Sequence, residues 1–140
     1  MKLFSIFIIF VSLSYAGAEA LNNIDETKKL SEDVMKLVGK GNIKGGVKLL
    51  RPYVVYPLAE HDAQISQVDV QMPTINQRFG NTNGYDFVSE QRVGESLVKY
   101  IYLQKLEKHV LIWKFIFYKP NEKWLLNSWS FNDQIEQLFN

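Results

Sequence analysis

The residues in this chain best suited to acid–base chemistry sit close together: Tyr53, Tyr56, His61 and Asp62. A histidine can shuttle a proton near neutral pH, and a tyrosine hydroxyl can hydrogen-bond a developing oxyanion. His61 lies on the apolar stripe of a helical pattern and is expected to face inward. Asp62, one residue later, is turned away by about 100°. The two are therefore not expected to act as a pair, and the choice at His61 lies between an acid–base site shared with a tyrosine and a hydrogen-bonded core histidine. The other histidine, His109, opens a strand after Glu107-Lys108 and reads as an exposed turn residue.

Neither histidine has a partner at metal-ligand spacing, and no metal or cofactor is expected. Gly39, Gly41, Gly45 and Gly46 lack the strand-to-helix setting and the Lys-Ser/Thr ending of a phosphate loop, so they read as helix punctuation. The chain has no cysteine, which removes a thiol nucleophile, a Cys-ligated zinc, a disulfide framework and an N-terminal lipidated cysteine. The remaining candidates are aromatic. Tyr100, Tyr102, Trp113 and Trp129 could line a small-molecule pocket together with Tyr53, Tyr56 and His61, or they could simply fill a core.

These residues must be positioned by elements whose periods change along the chain. Residues 24–38 read as an amphipathic helix capped by Asn23 or Asp25 and stopped by Gly39 and Gly41. Residues 43–50 form a shorter helix, weakened by Gly45-Gly46 and ended before Pro52. From Leu58 the positions Leu58, His61, Ile65, Val68, Met72, Ile75 and Phe79 alternate in steps of three and four, which is a helix stripe. Pro73 should kink or restart that helix. After Gly84 the period becomes two, giving strands at 85–93, 96–105, 109–118 and 123–131, joined by short polar breaks that favour antiparallel hairpins. Residues 132–139 are expected to form a terminal helical turn capped by Asn132 or Asp133. Helices followed by strands predict an α+β fold, with the N-terminal helices packed on a curved antiparallel sheet of about four strands.

The first twenty residues read as an address. Met1-Lys2 is followed by an apolar stretch, Leu3 to Leu13, then by small-x-small sites ending at Ala18 and at Ala20. That layout is a secretory signal peptide, and the apolar run is too short to span a bilayer. The expected organisation is residues 1–20 as leader and 21–140 as one domain, exported to a periplasmic or extracellular space, with no stable membrane anchor after cleavage. Sixteen Lys+Arg against fifteen Asp+Glu leave a net charge of +1. No basic stripe is present, Arg51, Arg78 and Arg92 read as solvated surface, and no nucleic-acid partner is expected.

Two segments carry a likeness to a known group: VGKGNIKGGVKLLRP, and the run that contains YIYLQKLEKH, WKFIFYKP and KWLLNSWSF. With the order of helices, glycine-marked break, four strands and tail, the mature chain resembles the nuclear transport factor 2-like superfamily. The resemblance implies a cone in which a bent sheet wraps a long helix. It is similar to small exported members whose function is generally unassigned, and it carries over no catalytic residue. The expected role is non-catalytic, either binding a small apolar or amphipathic molecule in the cone or serving as an interaction module. A small lyase, isomerase or hydrolase using His61 with a tyrosine is the alternative. The second and third strands are apolar on both faces, so one face is expected to form a sheet-to-sheet homodimer unless the tail around Ile135, Leu138 and Phe139 covers it.

Overall fold

The protein is described here by a computed structural model covering residues 17–139. Residues 1–16, which hold most of the expected leader, lie outside the described residues. The order is α1 (Ile24–Val38), α2 (Ile43–Leu49), α3 (Leu58–Phe79), β1 (Thr82–Val93), β2 (Leu97–Leu106), β3 (Val110–Tyr118), β4 (Leu125–Asn132) and a 3-10 turn, Ile135–Phe139. The four strands form one antiparallel sheet in sequence order. The fold is α+β, three helices against an open curved sheet, as the change of period predicts.

Local chemistry accounts for most boundaries. The Asn23 side chain accepts from the Glu26 N–H and starts α1, and Asn42 does the same for α2 through Gly45. Both caps use a short side chain to satisfy a donor that the helix leaves open. Gly46 permits the close approach of α2 to α1, because a Cβ there would lie 2.9 Å from the Val34 carbonyl oxygen. The glycine pair that weakens α2 as an isolated helix is thus what lets it pack. Gly80 ends α3 at φ 87°, a left-handed conformation that suits glycine. α3 runs as one helix through Pro73, where the missing N–H suggested a kink or restart. Pro73 is exposed, and so is Asp69, whose carbonyl has no Pro73 N–H to accept from.

One face of the sheet carries the core. On β2 the inward residues are Val98, Tyr100, Tyr102 and Gln104, and on β3 they are Leu111, Trp113, Phe115 and Phe117, all buried. Val34, Met35 and Val38 of α1 and Ile65 and Val68 of α3 meet them from the helical side. The opposite face alternates differently: Lys99 stands beside Ile116 and Ile101 beside Lys114 across the β2–β3 ladder. It also exposes Leu97 and Tyr118. The terminal turn touches β3 with Ile135 and Leu138 half-buried and Phe139 84% exposed, and on that face Ile101 and Ile112 are buried.

A short strap joins the N-terminal end to the domain. The Glu19 N–H donates to the Pro52 carbonyl at 2.9 Å, and Leu21 exchanges two backbone hydrogen bonds with Trp124, each 2.8 Å. Leu21 is buried in the same hydrophobic cluster as the sheet aromatics.

Candidate functional site

Tyr56, His61 and Trp129 come together, as three of the seven candidate residues. His61 projects from the first turns of α3 and is fully buried. Its Nε2 lies 3.0 Å from the Val47 carbonyl oxygen and its Nδ1 3.2 Å from the Tyr56 hydroxyl. The Trp129 indole N–H donates to the same hydroxyl at 2.8 Å, and Gln64 Oε1 lies 2.6 Å from it. Trp129 also meets the His61 ring edge-on, with centroids 5.8 Å apart.

Hydrogen-bond accounting assigns roles here. A carbonyl only accepts, so the contact with Val47 places the hydrogen on Nε2 and leaves Nδ1 of a neutral ring as an acceptor. Tyr56 has one proton for two neighbours, Nδ1 and Gln64. A side-chain amide can be turned to exchange its oxygen for its nitrogen. With Gln64 turned to donate, every group in the network is satisfied without a buried charge. Both ring nitrogens of His61 are then occupied by the protein itself, at a place with no exposure to solvent. The geometry is that of a core histidine. Burial pushes the Tyr56 phenol up from its ordinary range, against the effect of the Trp129 hydrogen bond.

Asp62 points elsewhere, as the helical angle requires. The Arg51 guanidinium holds it at 2.8 and 3.1 Å, and this hydrogen bond keeps the Asp62 carboxyl below its usual range. Tyr53 is half-buried against the core and takes no part in the His61 network. His109, expected to be an exposed turn residue, is half-buried: its ring stacks on Phe79 at 4.7 Å and its Nε2 lies 3.0 Å from the Asp133 carbonyl oxygen. The strand period could not show this, because the partners come from the end of α3 and the end of β4.

The other aromatic candidates fill the cone. Trp113 stacks on Trp129 and on Phe115, each at 6.2 Å, and on Phe131 at 4.7 Å. Its indole N–H donates to Gln104 Oε1 at 2.9 Å, and the Gln104 amide donates to Thr82 at 2.8 Å. Tyr100 shares a hydrogen bond with Thr27 at 2.8 Å. The Tyr102 and Tyr85 hydroxyls donate to the two oxygens of Glu32 at 3.0 and 2.9 Å. Tyr102 is fully buried, and burial first, then Glu32, pushes its phenol well up. It is a hydrogen donor that ties the sheet to α1. Glu32 and Tyr85 were not among the sequence candidates. Their signal was indirect: two inward tyrosines on β2 need polar partners, and only the facing helix can supply them.

Open space lies near both ends of α3: a groove of about 870 Å³ near its start is lined by Val54, Val55, Tyr56, Pro57 and Leu58, and a smaller cleft lies near its end. The smaller cleft, of about 240 Å³, is walled by Ile75 and Phe79 of α3, Leu111 of β3 and Phe131 of β4. Thr74 and Arg78 on α3 and Asp133 after β4 stand at its rim. The Arg78 guanidinium lies 4.9 Å over the Phe79 ring. None of the seven candidates lines this cleft. Ile75 and Phe79 were legible as the end of the helix stripe, but Arg78 read only as surface.

Among the described residues, no three His, Asp or Glu side chains converge as a metal site, and no helix is long and apolar enough to cross a membrane. No protein-family model matches the chain, and no curated protein matches it.

Proposed function

We propose that this protein is an exported, non-catalytic binding module, a cone of the nuclear transport factor 2-like kind that takes a small amphipathic molecule at its open mouth. The observation that carries this reading is the apolar-walled cleft with a polar rim at the end of α3. Around His61 the polar atoms are spent on one another, and the deep cone is filled by Trp113 and Phe115, both fully buried. Around Ile75 and Phe79 the inward stripe continues, but the space in front of it is open and bordered by polar side chains. Apolar walls with a few polar groups are what small-molecule sites use. Export is supported by the leader pattern of residues 1–20.

The test is a titration of the chain from Glu19 onward with 3-phenylpropanol, followed by amide chemical shifts. Those of Ile75, Phe79, Leu111 and Phe131 are expected to move, while those of Val47, Tyr56 and His61 stay in place. Shifts centred on His61, or none anywhere at millimolar concentration, would reject the mouth as the binding place.

A further inference from the structure

We infer that the mouth of the cone recognises a small hydrophobic monocarboxylate, with Arg78 as the residue that holds the carboxylate. The inference deepens the binding reading above and rests on it. Three observations converge. The four walls, Ile75, Phe79, Leu111 and Phe131, are apolar, and two of them are phenyl rings. The cleft, at about 240 Å³, is smaller than the roughly 300–1,000 Å³ typical of sites for drug-sized ligands, and it has room for a single ring or a short branched chain. And Arg78 stands at the rim without an ion pair or side-chain hydrogen bond among the described residues, whereas Arg51 and Arg92 each have a carboxylate partner.

The position of Arg78 favours a carboxylate over other polar groups. Its guanidinium lies over the Phe79 ring at 4.9 Å, which steadies the side chain beside the apolar wall. A guanidinium offers a planar fork of donors that matches a carboxylate, and this is its advantage over an ammonium. Asp133 on the facing rim sets the limit on charge. With one cation and one anion at the mouth, a single negative charge can be accommodated beside Arg78, whereas a phosphate monoester, close to doubly charged at neutral pH, meets repulsion from Asp133. The ring or chain then lies along Phe79 and Phe131 while the carboxylate stays at the wet edge. No bulky anion has to enter the filled cone.

The test compares 3-phenylpropanoate with 3-phenylpropanol on the chain from Glu19 onward, both read by amide shifts at Leu111 and Phe131. The acid is expected to bind roughly tenfold more tightly than the alcohol, as a charge-assisted hydrogen bond at a partly solvated rim would give. Arg78→Gln should bring the acid down to the affinity of the alcohol and leave the alcohol unchanged. If the alcohol binds as well as the acid, the mouth is a ligand site but the carboxylate assignment is wrong. If the acid keeps its advantage in Arg78→Gln, another cation reads the carboxylate and the role given to Arg78 is wrong. If neither compound binds while the protein remains folded, the binding reading itself falls.

Discussion

Tyr56→Phe separates a structural His61 network from a functional one. The substitution removes a single hydroxyl, but three groups lean on it: the Trp129 N–H at 2.8 Å, Gln64 at 2.6 Å and His61 Nδ1 at 3.2 Å. Trp129 and Gln64 are half-buried and can turn to water, whereas His61 is fully buried and its Nδ1 loses its only neighbour. Leaving one buried polar group unpartnered costs about 1–3 kcal/mol, so a loss near 2 kcal/mol is expected. For a domain of this length that corresponds to a fall in Tm of roughly 8 °C. The assay is thermal unfolding followed by circular dichroism. A double-mutant cycle sharpens it: Trp129→Phe should cost about 1 kcal/mol less in the Tyr56→Phe background than alone, because the N–H that it removes is already unpartnered. Binding of 3-phenylpropanoate should not change, since fourteen residues of α3 separate His61 from Ile75, about 21 Å at 1.5 Å per residue. An unchanged Tm together with lost ligand binding would show that the reasoning has the two ends of the helix reversed.

Three further outcomes are expected. Burial holds the phenols of Tyr56, Tyr85, Tyr100 and Tyr102 above their ordinary range. A raised folded value means that their contribution is complete below the free-tyrosine range near pH 10 and is lost as pH rises beyond it. Phenolate absorbance should therefore lag the full count of tyrosines at about pH 11 until the fold opens; complete ionisation with native circular dichroism would contradict this. Leu21→Ala should destabilise by about 2–3 kcal/mol, because Leu21 is 6% exposed and packed in the core cluster, and a shift below about 0.5 kcal/mol in a denaturant melt would show that the strap is not part of the folded unit. If the sheet-face homodimer forms, it should tighten as salt rises, since apposed outer faces bring Lys99 and Lys114 of two copies together; sedimentation that gives a monomer at every salt concentration removes it.

The helices and strands were legible because each repeats one period over many residues. The stripe from His61 to Phe79 names the inward face of α3, and the period of two names the strands. Strand ends were less legible: β1 begins at Thr82, ahead of the glycine that marks the change of period, because Gly84 lies inside the strand at a register shift opposite β2. Which face of β2 and β3 is inside could not be read from those strands alone. Ile101 and Ile112 are buried as deeply as many inward residues, so burial of apolar side chains does not distinguish the faces. The distinction comes from the polar atoms. Tyr100, Tyr102 and Gln104 all point inward and find Thr27, Glu32, Thr82 and Trp113, whereas the lysines take the other side.

The mouth was less legible than the His61 cluster for a related reason. A search for chemistry favours residues that can move protons, and in this chain those residues are the ones that close the cone. Val47 and Gln64 complete the His61 network from a neighbouring helix and from α3 itself, and neither has a pattern that betrays a hydrogen-bonding role. The mouth is built the opposite way, from an absence of side chains large enough to fill the gap between Ile75, Phe79, Leu111 and Phe131. An absence of volume has no sequence motif, since packing depends on which residues meet rather than on which residues occur. One aromatic column runs between the two ends of α3. A dense, hydrogen-bonded end at His61 fixes the helix against Trp129, and Trp129 stacks through Trp113 onto Phe131 at the mouth. The rigid aromatic column holds one wall of the cleft while the end of α3 supplies the other. An open cleft can thus persist in a small domain without disulfides, because the packing lost at its mouth is offset by the column behind it.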